Sequence, residues 1–423
     1  MSQTLEIEPP AAAVPENSPN ATWFQRFQDE AQSRFESLDW PKRTEEYWRF
    51  AKLQKADVSG FEPAPSPTDI EPLIAAAADL KSPAARIVFC NHELVHTIGI
   101  DESGLSVTSL ADADPALVAK PLESLRGELG SAKFMALQQS NQLSALVINV
   151  PENLEISAPI EITRWIEGNG VSVFPMTLVL GAANSKITIL ERVRSADSGQ
   201  QLGIGGTVLE AGNGARITYA ISQELTDSSK FVHVLNAHTG RDAEIRGLVA
   251  NFGSSWVRQE VSARMDAQGA NCELFGVNLV RGTQEVDQRT YQKHLSPNTR
   301  SDLLFKNALM DKARTVFSGL IHVFEGAHHT DSFQTCRNLL LSDEVEANAL
   351  PGLEINADQV SCSHGATSGQ IDPEELFYLR ARGVHEEQAR RIITGGFAAE
   401  GAQRLKSEPI QQLLEQLIAE RLA

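Results

Sequence analysis

Between Ser144 and Gly369 apolar residues come in short runs rich in β-branched side chains, separated by turns of Gly, Asn, Asp and Ser. Runs of this kind predict strands, because successive side chains leave opposite faces of an extended chain. Five apolar starts recur at a nearly fixed spacing: Ile187, Ile217, Ile245, Leu274 and Leu303 stand 30, 28, 29 and 29 residues apart. Four of them follow an alanine or glycine turn, as in NGARITYA and QGANCELFG. A strand at the same place in each unit signals a repeat in which every unit covers its neighbour's apolar face. A parallel β-helix with one rung per period meets that requirement. An antiparallel sandwich is the alternative, since turns about every 8 to 12 residues, as such sandwiches have, also occur.

The flanks have a different period. From Asn20 to Trp40 the residues Trp23, Phe24, Phe27, Ala31, Phe35 and Leu38 line one helical face. After the breaker-rich Ser59 to Pro67, a second helical piece and the strand-like Ala84 to Val95 predict a small α/β unit, with Asn91 and His92 at a hairpin turn. Beyond the repeat, Asp372 is an N-cap, Pro373 suits the first helical position and Gly383 ends that helix. A second helix is expected over His385 to Ala399. A third is expected from Ser407, with Ile410, Leu413, Leu414, Leu417 and Ile418 on one face. The organisation expected is therefore mainly β over 144–370, as a β-helix or a sandwich, with an N-terminal helical and α/β segment over 21–143, a C-terminal helical domain over 371–423, and a disordered tail over 1–20.

The chain has 423 residues, 37 basic and 55 acidic, for a formal charge of −18. Such an acidic surface argues against nucleic acid or anionic lipid as partner. Four scattered cysteines, at 90, 272, 336 and 362, fit a reducing compartment. The first twenty residues, acidic and proline-rich, match neither a secretory signal nor a transit peptide, and the apolar run from Val171 to Ala183 is too short to span a bilayer. A cytoplasmic protein is expected. No Walker loop is present, AGNGAR and GIGG being read as turns, so the chain is not expected to be a self-contained enzyme. Polysaccharide-acting enzymes also use β-helices, but they are commonly secreted.

The densest candidate chemistry lies in Leu353 to Gly383, LEINADQVSCSHGATSGQIDPEELFYLRARG. Cys362 and His364 are two apart, which in a strand puts sulfur and nitrogen on one face, a pairing suited to zinc, ferrous iron or an iron–sulfur cluster. Two ligands do not complete a site. Cys90, His92 and His96 are explained by turn and edge positions, Cys272 by core packing, and His322, His328 and His329 by solvated or structural roles.

LEINADQV, SCSHGAT, Ile371, Asp372 and LFYLRARGV together resemble the C-terminal signature of the SufB/SufD family of iron–sulfur cluster assembly proteins, and PKRTEEYWRFAKL (Pro41 to Leu53) is similar to the N-terminal segment of its SufD branch. The resemblance favours the β-helix over the sandwich and implies a subunit of a scaffold complex, built on a right-handed parallel β-helix core that pairs near its C-terminal end with a SufB-like homologue. A transient iron–sulfur cluster would form at that interface with His364 as a ligand and Cys362 beside it. A SufC-like ATPase would supply ATP hydrolysis and dock on the C-terminal helices, on a surface including Phe377, Tyr378, Leu379, Arg382 and Gly383. Cys336 is a further candidate, standing about one rung before His364 where SufB proteins carry a cluster-building cysteine and SufD proteins often have asparagine. Flavin is associated with the family's complexes, but no glycine fingerprint locates it here. A homodimer, and a scaffold that ligates no metal, remain open alternatives.

Overall fold

The computed structural model describes residues 20–100 and 104–423. Apart from Asn20, the tail expected over 1–20 lies outside them. The described residues begin with helix α1 (Ala21–Ser37), two single-turn 3-10 helices (Glu46–Trp48 and Leu53–Ala56), strand β1 (Glu62–Pro63) and helix α2 (Glu71–Ala76). Strands β2 (Ala85–Cys90), β3 (Glu93–Ile98) and β4 (Ser106–Ser109) and helices α3 (Pro115–Ser124) and α4 (Ala132–Ser140) complete the N-terminal segment. Asn91, at φ +52°, makes the β2–β3 hairpin turn as expected.

The repeat opens with β5 (Ser144–Val150), β6 (Ile160–Ile166), β7 (Val171–Val173), β8 (Pro175–Gly181) and β9 (Lys186–Ser195). It continues with β10 (Gln201–Ala211), β11 (Arg216–Glu224), β12 (Lys230–Thr239), β13 (Glu244–Asn251), β14 (Trp256–Met265) and β15 (Asn271–Val280). It closes with β16 (Glu285–His294), β17 (Arg300–Leu309), β18 (Arg314–Val323), β19 (Asp331–Leu340), β20 (Glu346–Ile355) and β21 (Ser361–Gly369). Among the described residues these strands form two sheets. Even-numbered strands run in the order β20-β18-β16-β14-β12-β10-β8, then β5-β4, and odd-numbered ones in the order β21-β19-β17-β15-β13-β11-β9, then β6-β2-β3. Every pair within the repeat is parallel, which gives a β-solenoid of about 8 turns with one strand of each sheet per turn. The antiparallel sandwich is excluded.

The period was legible, with one slip. Ile187, Ile217 and Ile245 are in register, but Ile245 faces Cys272, while Leu274 faces Gly247 and Leu303. One shorter turn moves the apolar start two places along its strand, so the 29-residue spacing there is not a register spacing. Gly203–Gly206 corrects a second reading: GIGG lies inside β10, not on a turn. A Cβ at Gly203 would come 2.8 Å from the Phe231 ring, and one at Gly206 3.1 Å from Leu125 and Met135. Here glycine makes room for the next rung and for α4.

Between the sheets runs one long apolar core, from Ala85 to Cys336. The outer face of the even sheet is covered by the N-terminal segment, whose PKRTEEYWRFAKL stretch buries Trp48 completely against Phe134 and Trp256. Trp48 Nε1 donates to Gly130 O at 3.0 Å, and the Arg258 guanidinium lies 4.3 Å from the indole centroid.

The outer face of the odd sheet is covered by the C-terminal helices α6 (Glu386–Gln403) and α7 (Glu408–Leu422), which follow α5 (Pro373–Ala381). Ala398, Ala402, Ile410, Leu414 and Ile418 pack on Leu248, Phe275, Val277 and Leu304. Arg404 reaches Asp302 at 2.8 Å and Arg421 reaches Asp227 at 2.8 Å. The three helices therefore do not form a free amphipathic trio: two are spent on the solenoid, and only α5 has no buried residue. Asp372 caps α5 by accepting from the Glu374 N–H at 2.8 Å, and Gly383, at φ +86°, follows its end as expected.

Candidate functional site

The solenoid stops at β20 and β21, and each has a neighbour on one side only. Ser361 donates its N–H to Thr330 O across the β19–β21 ladder, so by alternation the N–H groups of Cys362, His364, Ala366 and Ser368 point away from β19. On β20 the even-numbered residues bond back to β18, as Glu346 does to Ala313 O and Asn356 to Val323 O. Pro351 occupies an odd position, where its missing N–H would face the open edge. A proline there blunts an edge without breaking the ladder behind it. β21 contains no proline.

Cys362 and His364 lie on this last rung. Their two-residue spacing does put them on one face, the face that continues the core. Cys362 stands across from Ser332, His364 from Gln334, Ala366 from Cys336 and Ser368 from Asn338. Cys362 is half-buried beside Ile321, Val323, Ala327 and Val360, and that burial, with Asp331 nearby, pushes its thiol above the usual range. His364 is exposed, and among the described residues no side-chain partner holds its ring.

Cys336 is not brought to this pair. It is fully buried, and desolvation pushes its thiol up to about 12. The Asn307 amide lies 3.6 Å from its sulfur, and Asn338 Oδ1 lies 3.7 Å away. Arg337 leaves the opposite face and pairs with Glu400 at 3.6 Å, so it does not activate the thiol. In register Cys336 matches Ala366, two residues past His364.

The remaining candidates are dispersed. His322 sits on the outer face of the even sheet, 2.9 Å from Tyr291 OH and 3.4 Å from Glu354. His328 bonds to Asp358, Cys272 is core, and Cys90 is buried with its thiol pushed up to about 12. His92 stacks on Phe174 and is pushed down to about 4 by burial. Among the described residues no group of three His, Cys, Asp or Glu side chains could hold a metal ion. The last rung can therefore contribute at most part of a coordination sphere.

Composition did not point to the polar core behind this rung. Asn251, Asn278, Asn307 and Asn338 form a buried ladder with Nδ2 to Oδ1 distances of 2.8, 2.7 and 2.8 Å, and Asn338 donates to Ser368 Oγ at 3.0 Å. Beside it, Gln292, Ser301 and Ser332 join at 2.7 and 2.8 Å, with His294 bonded to Ser301 at 2.8 Å. Their signal was present in the sequence as polar residues at inward positions of successive strands.

On α5, Phe377 is 72% and Tyr378 55% exposed, with Arg382 stacked on Tyr378 at 4.2 Å. Leu379 is partly buried. An apolar groove of about 390 Å³ lies between α6 and α7, bordered by Ile392, Gly396, Ala399 and Leu422.

Comparison with known proteins gives a match of residues 164–397 to the model of the SUF system FeS cluster assembly SufBD core domain. An iron–sulfur cluster assembly SufBD family protein of Synechocystis is 27% identical over 90% of this chain and 88% of its own length. The iron–sulfur cluster assembly protein SufD of Escherichia coli is 28% identical, covering 90% of this chain and 89% of the relative. That of Bacillus subtilis is 23% identical, covering 95% and 94%. Among the described residues no helix is long and apolar enough to cross a membrane.

Proposed function

The chain belongs to the SufB/SufD family of iron–sulfur cluster assembly proteins, and from that premise we propose that it is a SufD-type scaffold subunit, working in the cytoplasm, whose open last rung pairs with a SufB-like homologue. The observation that carries this reading is the unblunted β21 edge. It carries Cys362 and His364, and its outward N–H groups lack ladder partners. A long unpaired strand is a liability unless something covers it, and a second solenoid of similar cross-section would cover it with main-chain hydrogen bonds.

The nascent cluster is cargo on this account, held where the two chains meet. Neutral His364 offers one ring nitrogen lone pair to iron. Cys362 ligates as thiolate, so its raised thiol makes proton release part of iron capture rather than a prior step. The SufB-like chain supplies the remaining ligands. Cys336, sealed in the core, packs rather than ligates. Exposed aromatics on α5, with the groove between α6 and α7, fit docking of a SufC-like ATPase, which supplies ATP hydrolysis.

The test of the pairing is Ala366→Pro, which removes one outward N–H of β21 and leaves the bonds to β19. Mass measurement of the mixed chains should show loss of the heterodimer while the variant alone melts as wild type. A heterodimer of undiminished affinity would refute pairing through this edge.

A further inference from the structure

Directly behind His364, one rung into the core, Gln334 is 1% exposed and its carboxamide is held at one end only. Nε2 donates to Thr290 Oγ1 at 3.4 Å and to Gln292 Oε1 at 3.3 Å, both on β16 of the preceding rung. Oε1 is buried without a partner. A buried acceptor stripped of water and left unbonded destabilises the chain that carries it.

The core nevertheless makes room for this group. A Cβ at Gly319 on β18 would lie 2.4 Å from Gln334 Nε2 and 2.4 Å from Thr290 Oγ1. Any side chain at 319 would push the carboxamide out, and glycine inside a strand is itself unfavourable. Two unfavourable choices thus preserve one unbonded oxygen, as expected of an acceptor used in another state of the protein.

The register says which donor is nearest. Gln334 and His364 are paired across the β19–β21 ladder, and parallel neighbours about 4.8 Å apart send their side chains from the same face. Since Nε2 is drawn to the preceding rung, Oε1 is the end left for the next one. The equivalent neighbour under Cys362, Ser332, is already bonded to Ser301 at 2.8 Å.

We propose that Gln334 is a positioning residue for His364: once a partner covers the last rung, Gln334 Oε1 accepts one ring N–H of His364 and fixes the tautomer that turns the other ring nitrogen to iron. This rests on the reading of His364 as an iron ligand. An imidazole ligand whose second nitrogen is held by an acceptor keeps its orientation and is the more basic donor.

The experiment uses the complex reconstituted with its partners, ferrous iron and sulfide. Gln334→Leu keeps the bulk and removes the acceptor. Gln334→Glu, neutral in so buried a place, keeps an oxygen acceptor and a donor for Thr290. Gly319→Ala displaces the carboxamide while leaving Gln334 in the chain. The expected result is that Gln334→Leu and Gly319→Ala still assemble but hold about 10-fold less cluster, the scale for loss of an outer partner of a ligand. The nitrogen hyperfine coupling of the reduced cluster in pulsed EPR should be altered in both, and Gln334→Glu should recover yield and coupling. If Gln334→Leu or Gly319→Ala assembles with wild-type yield and coupling while His364→Ala does not, Gln334 is only packing and the proposal falls. If wild type shows no nitrogen coupling and His364→Ala makes clusters normally, the ligand reading has failed, and the proposal with it.

Discussion

Asn307 accepts from Asn278 Nδ2 at 2.7 Å and donates to Asn338 Oδ1 at 2.8 Å, at the middle of a polar ladder that crosses the solenoid core and ends on the open rung. Each amide serves as both partners of its neighbours, so register is specified where apolar side chains alone would tolerate a slip.

Replacing Asn307 by Leu should therefore cost more than its own bonds, because Asn338 Oδ1 loses its amide donor and Asn278 Nδ2 keeps only a 3.3 Å contact to Gln288. At about 1–3 kcal/mol per orphaned buried group, a loss of about 2–4 kcal/mol is expected, read as a lower urea midpoint at unchanged slope. A loss below about 0.5 kcal/mol would mean that the ladder is incidental.

His233 is buried within the core between Thr207 and Gln259, each at 3.0–3.1 Å from a ring nitrogen, and desolvation holds it down at about 4. The unfolded chain binds a proton near 6.5 and the folded chain does not, so stability is fully present above pH 6.5 and is lost as pH falls towards 4. The loss attributable to His233 is on the order of 3 kcal/mol across that window. Urea midpoints of His233→Gln measured from pH 7.5 to 4.5 should fall less steeply than those of wild type. An identical slope would assign the acid sensitivity elsewhere, for example to His294, which burial holds at about 3.

The exposed pair Phe377 and Tyr378 contributes little to the stability of the free chain, since both rings stand in solvent. Phe377→Asp with Tyr378→Asp should leave the melting temperature within about 2 °C, as for other surface changes, yet weaken capture of a SufC-like ATPase at least about 10-fold, as loss of aromatic anchors does. Unchanged capture in a pull-down or by calorimetry would move the docking surface off α5.

Which parts of this were legible follows from where the physics is local. The Asn91 turn, the Asp372 cap and the Gly383 stop each depend on a few adjacent residues, and the rung period on a local strand-and-turn pattern that recurs, so all were readable. The register of Cys336 was not, because Cys336 and His364 are separated by 28 residues while Cys336 is paired with a residue 30 away. A two-residue difference in turn length decides that register, and turn length is set by packing along the whole solenoid. GIGG read as a turn because the Phe231 ring that demands Gly203 lies in the next rung. The apolar face of α7 was plain, but its partner, the outer face of the odd sheet, shows only once the strands are laid side by side. Gln334 carries no local signal for a like reason: its significance lies in the register opposite His364 and the gap at Gly319.

Whether the last rung holds cargo through His364 is read from the iron and sulfide content of the reconstituted complex carrying His364→Ala, with Cys336→Ala as companion. Both variants should assemble, His364→Ala retaining at most about a tenth of the cluster, on the scale of a disturbed metal site, and Cys336→Ala retaining wild-type content. Normal cluster content in His364→Ala, with loss in Cys336→Ala instead, would contradict that role of His364.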